Sequence, residues 1–285
     1  WAHNSGPMSS DSSQQPNFQG TDQYYLSPEL GAIVNMAIAM EKPLLLTGEP
    51  GTGKTQLAFE ISRSLGMDLE VLRAKSTIRG EEACYVQDTV LRLNDARFGT
   101  EASGRDVNQF YDYVIWGPIG RAFRAEKRCV LLLDEIDKTE SDVQDNLLDV
   151  LEDMEFTIRE VNDTIKAVHR PVIIITSNAK RELSDPFLRR CFAHHIAFPE
   201  ESEMREILDL HFDELDSQLV DVSLKVFYEL RSRGLEKAPA TGELIHWIEA
   251  LQRSGKKPEG LTDLPFPGIL MKRAADLQNY RAGRI

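Results

Sequence analysis

The chain has 285 residues, a formal net charge of -13 and 41% hydrophobic residues. This composition is typical of a globular protein, and the negative charge disfavours broad electrostatic binding to nucleic acid. The sequence lacks an apolar run of the roughly 18 residues that span a bilayer, and its N-terminus lacks the pattern of a signal peptide. Three cysteines at these spacings suit neither a disulfide framework nor zinc, so a reducing, cytoplasmic location is expected.

Residues 1–20 are rich in Ser, Gln and Asn and poor in large apolar side chains. Such a segment buries too little surface to order itself, so we predict a disordered tail. Within it, residues 1–7 are typical of an expression-vector remnant, and Met8 is the expected natural start. The sequence Ser27-Pro28-Glu29, a cap followed by proline and an acid, then predicts the start of the first helix.

Residues 48–55 read Gly-Glu-Pro-Gly-Thr-Gly-Lys-Thr, a complete G-x-x-x-x-G-K-[ST] phosphate loop between an apolar run and a helical segment. Backbone amides of such a loop close around phosphate oxygens, and the positive end of the next helix points at the same charge. Lys54 is predicted to reach the β- and γ-phosphates, and Thr55 to bind Mg²⁺. The predicted nucleotide contacts are Gly48, Glu49, Pro50, Gly51, Thr52, Gly53, Lys54, Thr55 and Gln56.

A second motif, Asp134-Glu135, follows the continuous apolar run 129–133. Continuous apolarity indicates a strand buried on both faces, as in a parallel sheet, and such sheets bind ligands at the carboxyl ends of their strands. Asp134 is predicted to hold Mg²⁺ through water, and Glu135 to polarise the water that attacks the γ-phosphate. The competing interpretation, a solvated acidic turn, is disfavoured by the phosphate loop upstream.

Asn178 ends another buried strand, predicted over 172–176. Because this strand should lie beside the one that carries Asp134, the amide is predicted to orient the attacking water between Glu135 and the γ-phosphate. The alternative is an asparagine that simply forms a turn.

Arg189 and Arg190 follow the turn Ser184-Asp185-Pro186. An arginine beside a neighbouring subunit's γ-phosphate stabilises charge in the transition state, so each is a candidate arginine finger. The alternative is a solvated basic face.

The remaining segments define the organisation of the chain. Residues 76–118, here called the insertion, contain several glycines and a polar stretch, and they are predicted to be a long functional loop within the nucleotide-binding core. Segments 156–158 and 164–167 alternate in polarity around a polar turn, which predicts a β-hairpin. From residue 200 onward the pattern is helical.

Together these motifs resemble an AAA+ ATPase. The segments that match are Gly-Glu-Pro-Gly-Thr-Gly-Lys-Thr, Leu-Leu-Leu-Asp-Glu-Ile-Asp-Lys, Ile-Thr-Ser-Asn and Leu-Arg-Arg-Cys-Phe. Residues 116–123, Trp-Gly-Pro-Ile-Gly-Arg-Ala-Phe, are similar to the Gly-Pro-Leu segment of the MoxR-type group. The hairpin at about 155–167 resembles the pre-sensor hairpin of the wider clade, and 76–100 its helix-2 insert. The resemblance covers nearly all of 24–285.

The resemblance implies an α/β fold: a P-loop NTPase αβα core over 21–198, with a parallel 5-1-4-3-2 sheet, and an all-α lid over 199–285. It implies ATP and Mg²⁺ between core and lid, in a homo-oligomeric ring, usually a hexamer, that completes each site with a neighbour's arginine. By similarity to the Ser-Arg-Cys motif of clamp loaders, Arg190 is the first choice for this finger and Arg189 the second. MoxR-like proteins often work beside von Willebrand A-domain partners as chaperones that mature other proteins or insert their cofactors.

One segment departs from the pattern of the family. Many relatives have a sensor arginine near the start of a lid helix, where this chain reads Pro239-Ala240-Thr241-Gly242-Glu243-Leu244. A carboxylate such as that of Glu243 cannot contact the γ-phosphate favourably. Either another arginine substitutes for it, or the lid couples weakly to the nucleotide.

Three functions follow from this sequence. The leading one is an ATP-driven remodelling chaperone that acts on a protein client. The first alternative is a nucleic-acid translocase or restriction-type motor subunit, for which the insertion offers arginines with interleaved acids, namely Arg79, Arg92, Arg97 and Arg105. The second is a regulatory scaffold that binds ATP and assembles without doing mechanical work.

Overall fold

The computed structural model describes residues 17–99, 104–179, 181, 183–255 and 263–283. The helices are α1 (Pro28–Ala39), α2 (Lys54–Leu65), α3 (Thr89–Phe98), α4 (Pro118–Arg124), α5 (Ser141–Asp153), α6 (Asp185–Arg190), α7 (Glu201–His211), α8 (Ser217–Ser232), α9 (Thr241–Arg253), α10 (Pro267–Leu270) and α11 (Ala274–Arg281). The strands are β1 (Leu44–Thr47), β2 (Leu69–Arg73), β3 (Tyr85–Gln87), β4 (Val114–Trp116), β5 (Val130–Asp134), β6 (Glu155–Ile158), β7 (Asp163–Lys166), β8 (Val172–Ser177) and β9 (Phe192–His195).

A parallel sheet lies at the centre of the first two thirds of the chain. Its strands follow the order β2-β5-β8-β1-β9, and each neighbouring pair is parallel. Counted along the chain within this sheet, the order reads 5-1-4-3-2, which confirms the predicted topology. The carboxyl ends of β1, β5 and β8 therefore meet at one edge, where the phosphate loop follows β1.

Helices cover both faces of this sheet, which explains why its strands read as continuous apolar runs. Alternate residues of β5 belong to different apolar clusters. Val130 and Leu132 pack in the cluster that contains residues of α1 and α2, whereas Leu131 and Leu133 pack with residues of α4 and α5. The result is the three-layered αβα arrangement that the family resemblance implies.

The insertion contains more regular structure than the sequence predicts. β3 and β4 pair as an antiparallel ribbon, and α3 lies between them in the chain. Asp88 caps α3 by accepting a hydrogen bond from the Leu91 amide. Every residue of α3 is at least partly exposed. The prediction of an irregular loop is wrong here, because a helix without a buried face gives no clear apolar period.

The predicted hairpin is present and lies against the insertion. β6 and β7 pair in antiparallel register, with Phe156 opposite Ile165. Polar contacts join it to the insertion: Tyr85 to Glu160 (2.8 Å), Arg159 to Glu81 (3.0 Å) and Tyr111 to Asp163. The hairpin and the insertion thus form one contiguous surface beside the core.

The C-terminal helices α7–α11 pack around an apolar cluster of their own. Its most buried members include Leu208, Phe227, Trp247 and Leu251. The predicted boundary between core and lid at 198–199 lies just before α7 and remains a prediction. Among the described residues, none of the helices combines the length and apolarity that crossing a bilayer requires.

Phe18 lies in the segment predicted to be disordered, yet its side chain is only 1% exposed. It packs with the cluster that contains α1 and α2. Its amide donates to Asn35 Oδ1 (2.7 Å), and its carbonyl accepts from Asn35 Nδ2 (2.8 Å). The prediction of disorder is wrong at this residue. It was based on the average composition of residues 1–20, to which a single large apolar side chain contributes little. Residues 1–16 lie outside the described residues.

Replacing Phe18 by Ala is expected to lower the free energy of unfolding by about 3–5 kcal/mol, because it empties a fully buried site. Urea denaturation followed by circular dichroism measures this change. The matched control is Phe98→Ala on α3, where the ring is 84% exposed and the change should stay within about 0.5 kcal/mol. Equal effects of the two substitutions would contradict a structural role for Phe18.

Candidate functional site

A large open cavity of about 1560 Å³ lies between the carboxyl edge of the sheet and the C-terminal helices. Its lining includes phosphate-loop residues 50–56 and side chains at the ends of β5 and β8. Residues of the N-terminal segment, β9, α7 and α9 complete it. The structure thus brings the separate sequence motifs to one cavity.

The phosphate loop has a conformation that depends on glycine. Gly48 has φ 150°, and a Cβ added to it would lie 2.3 Å from the Ile196 carbonyl oxygen. Gly53 caps α2 in a left-handed conformation and has no side chain to occupy the first amides of the helix. Those amides therefore remain available to an anion at the positive end of α2.

Lys54 is buried at the base of this loop. Its Nζ donates to the carbonyl oxygens of Gly48 (2.9 Å) and Glu49 (2.7 Å). Burial lowers the pKa of Lys54, although the carboxylates of Asp137, Asp134, Glu135 and Glu49 oppose this shift. An anionic ligand in the cavity would favour the charged ammonium further. The side chain is thus placed to bind phosphate oxygens.

Thr55 and Asp134, both predicted to hold Mg²⁺, are in direct contact. Thr55 Oγ1 donates to Asp134 Oδ1 (2.7 Å), and Thr176 Oγ1 donates to the same oxygen (2.8 Å). A hydroxyl and a carboxylate are hard oxygen ligands of the kind that Mg²⁺ prefers, so this donor set fits the metal. Thr176 was not predicted from the sequence as a site residue. Its position near the end of β8, two residues before Asn178, could have indicated that it lies at the site.

Glu135 and Asn178 are also brought together. Asn178 Nδ2 donates to Glu135 Oε1 (2.9 Å), and the Glu135 amide donates to Thr176 Oγ1 (2.8 Å). Glu135 has φ 57°, a left-handed conformation that is uncommon outside glycine. Lys138 forms an ion pair with the second oxygen of Glu135. Lys138 was not predicted either, although its i,i+3 spacing from Glu135 could have indicated this ion pair.

The two arginines lie away from the cavity. Arg190 forms ion pairs with Asp149 Oδ1 (2.8 Å) and Glu152 Oε2 (2.8 Å) on α5. Arg189, on α6, is exposed. Neither is among the described residues that line the cavity. Within this chain, therefore, the structure separates both arginines from the other predicted site residues.

The other predicted nucleotide contacts differ in where their side chains lie. Pro50, Gly51 and Thr52 line the cavity, whereas the Glu49 carboxylate turns toward α8 and pairs with Arg231 (2.9 Å). Gln56 lines the cavity and donates to Glu60 Oε1 (2.7 Å).

Comparison with known proteins agrees with this geometry. The sequence pattern of the "ATPase family associated with various cellular activities (AAA)" matches residues 44–200. The chain is 28% identical over 233 residues to chaperone protein ClpB of Mycoplasma pneumoniae, covering 75% of this chain and 29% of ClpB. It is 28% identical over 207 residues to Lon protease 1 of Bacillus subtilis, covering 68% of this chain and 23% of Lon. The chain thus spans less than a third of the length of these relatives.

Solved structures similar to this one include RuvB from Thermotoga maritima. The RuvB Holliday junction branch migration motor has a TM-score of 0.50 and 17% identity, over 84% of this chain and 65% of RuvB. A mutant RuvB has a TM-score of 0.53 and 17% identity, over 84% and 66%. At this level of identity the likeness shows the fold alone.

The matched range 44–200 covers more than half of the chain. It contains the phosphate loop, the acidic pair that ends β5, and Asn178 after β8, which meet at one edge of the sheet. The chain therefore belongs to the AAA family and is an ATPase that uses ATP with Mg²⁺.

Proposed function

We propose that this chain is a MoxR-type AAA ATPase, which couples ATP hydrolysis to the remodelling of a protein client. The observation that supports a protein client is the exposed apolar surface of the insertion. Val90, Leu93 and Phe98 of α3 and Ile115 of β4 are all more than half exposed. Because three of these four side chains lie on one short helix, α3, we infer that this part of the insertion binds other polypeptides, as contiguous apolar patches do.

The core, 21–198, would bind the nucleotide and the lid, 199–285, would close over it. Lys54 and the free amides of α2 would neutralise the β- and γ-phosphates. Thr55 would bind Mg²⁺ directly and Asp134 through water, with Thr176 holding the Asp134 carboxylate. When bound, Mg²⁺ draws charge from the phosphate oxygens.

Glu135 would act as the general base on the attacking water. Asn178 holds one carboxylate oxygen of Glu135 and Lys138 the other, so the carboxylate has a fixed orientation. The proton of the water would pass to Glu135 as its oxygen bonds to the γ-phosphorus, while the bond from that phosphorus to the β–γ bridging oxygen breaks and ADP leaves. Asn178, already beside Glu135, would orient the same water.

Arg190, or Arg189 as the second choice, would complete the site of the neighbouring subunit. Its distance from the cavity of its own subunit supports this assignment, because an arginine finger supplied in trans must lie elsewhere. A homo-oligomeric ring, expected to be a hexamer, follows from this arrangement. A cytoplasmic location and a von Willebrand A-domain partner, with a role in cofactor insertion or complex maturation, are part of the same proposal.

A nucleic-acid motor is the weaker alternative, although RuvB, which is similar in fold, is a branch migration motor. The net charge of -13 opposes it. Two insertion arginines already have protein partners: Arg105 pairs with Asp95 (2.8 Å), and Arg92 donates to the Val107 carbonyl (3.0 Å).

If a neighbour's arginine completes each site, specific ATPase activity should rise with protein concentration as rings form. The expected rise from monomer to ring is on the order of 10³-fold, the effect of an arginine finger. The test measures phosphate release and, by mass photometry, the fraction of protein in rings at each concentration. The Lys54→Ala protein serves as the inactive control. A monomer with full, concentration-independent activity would refute the ring.

The same assay separates the three functions. Stimulation by a von Willebrand A-domain protein supports the chaperone proposal, whereas stimulation by DNA or RNA supports a motor. Assembly with ATP but without turnover would support a regulatory scaffold.

A further inference from the structure

Arg231 on α8 makes three contacts with separate parts of the molecule. Its Nη2 pairs with Glu49 Oε2 of the phosphate loop (2.9 Å), and its Nη1 donates to the carbonyl of Pro239, two residues before α9. Its guanidinium lies 3.4 Å from the ring centre of Phe198, which is the last residue before the predicted lid. The side chain is only 15% exposed. One residue of the predicted lid therefore connects the boundary with the core and the segment before α9 to the phosphate loop.

The contact with Glu49 differs from a typical surface ion pair, because one of its two partners is already held in place. Exposed pairs usually contribute little, because two long side chains must be ordered to form them. Here the ring of Phe198 and the carbonyl of Pro239 already fix the guanidinium. An arginine can stack on a ring and donate in its own plane at the same time, which a lysine cannot do.

Glu49 in turn is linked to the residue that is placed to bind phosphate. Its carbonyl oxygen accepts hydrogen bonds from Lys54 Nζ (2.7 Å) and Thr52 Oγ1 (3.0 Å). A displacement of the Glu49 backbone would therefore disturb one of the two carbonyl hydrogen bonds that Lys54 Nζ makes. The chain of contacts runs from the lid through Arg231 and Glu49 to Lys54.

The start of α9 cannot supply this link by a charged side chain of its own. Glu243 Oε2 accepts a hydrogen bond from the Ala240 amide (3.1 Å), so its carboxylate is used in the helix cap. Close packing nevertheless brings α9 to the loop, since a Cβ added to Gly51 would lie 2.5 Å from Ala240 Cβ. The lid touches the phosphate loop at this packing contact and at the ion pair of Arg231.

We propose that Arg231 is a positioning residue that couples the lid to the phosphate loop through Glu49, in a chain whose α9 lacks an arginine at its start. The inference rests on the proposed role of Lys54. With the pair intact, the lid holds Glu49, and Glu49 holds Lys54 in the position that binds the terminal phosphates. Without the pair, lid and loop move independently.

The test is a double-mutant cycle with Glu49→Gln and Arg231→Lys, read as the Kd of a fluorescent ATP analogue. Each single substitution should raise the Kd by about tenfold, and the double variant should bind no more weakly than either single variant. The thermal midpoint of Glu49→Gln should stay near that of the unchanged protein, because Glu49 is mostly exposed. A merely structural role would lower this midpoint instead.

Arg233→Lys is the matched control, because Arg233 immediately follows the same helix and pairs with Glu229 rather than with the loop. Its Kd should not change. Additive effects of Glu49→Gln and Arg231→Lys on the Kd would overturn the coupling. An unchanged Kd for Glu49→Gln alone would also overturn it. This second outcome needs only the Glu49→Gln protein, so the test remains valid if Arg231→Lys does not fold. Lys54→Ala is measured in parallel. If it binds ATP normally, the proposed role of Lys54 fails and the coupling fails with it; if it does not, a negative result concerns Arg231 alone.

Discussion

Lys54→Ala is expected to weaken ATP binding by on the order of 10²-fold or more, whereas Glu135→Gln should bind ATP normally and lose turnover by about 10²- to 10⁴-fold. The two losses differ because the two side chains act at different stages. Lys54 would contact the phosphates in the bound state, where each charge-assisted hydrogen bond contributes about 1.5–3 kcal/mol. Glu135 would act only on the attacking water.

The local contacts make Glu135→Gln a selective change. The oxygen of a glutamine can still accept the hydrogen bond from Asn178 Nδ2, so the shape of the site is kept. The basicity of the carboxylate and its ion pair with Lys138 are lost. The ion pair is partly exposed and contributes little to stability.

Titration with a fluorescent ATP analogue, beside an assay of phosphate release, measures both effects. Glu249→Gln on α9 is the matched control, because Glu249 also pairs with a basic side chain, Arg253, in the same helix. It should leave binding and turnover unchanged. Normal hydrolysis by the Glu135→Gln protein would disprove the role of Glu135 as the base.

The sequence was sufficient to predict the parts of the fold that depend on short-range patterns. The buried strands β1, β5 and β8 read as apolar runs because both of their faces are covered. The order of the sheet could not follow from these runs alone. It came from the resemblance of the motifs to a family, since strand order depends on contacts between residues far apart in the chain.

Other features could not be read from the sequence because their signal is a contact rather than a pattern. Phe18 is ordered by Asn35, which is 17 residues away. α3 has no buried face and so no period that would reveal it. The pairing of Arg231 with Glu49 joins residues 182 positions apart, and nothing near either residue predicts the other.

Arg190→Ala should keep the affinity for ATP and lose hydrolysis by on the order of 10³-fold or more, because the guanidinium acts on charge that develops in the transition state. Arg253→Ala, which removes an exposed arginine with an acidic partner in the same helix, should have no such effect. If Arg189→Ala is inactive and Arg190→Ala is normal, the finger is Arg189.

Arg190 forms ion pairs with Asp149 and Glu152, so a second explanation for a loss of activity in Arg190→Ala must be excluded. Loss of these pairs could change α5 and α6 within one subunit, and activity would then fall without any role in trans. A mixture of variants separates the two explanations. Arg190→Ala subunits have an intact phosphate loop, whereas Lys54→Ala subunits have an intact finger.

In a mixed ring, some interfaces join the intact loop of one variant to the intact finger of the other. Such rings should regain activity that neither variant has alone, in proportion to the number of these interfaces. Mass photometry establishes that rings form, and phosphate release reports the recovery. If mixed rings form and no activity returns, Arg190 acts within its own subunit through α5. Recovery can arise only if the arginine reaches the site of a neighbour, because each variant lacks one required group in its own subunit.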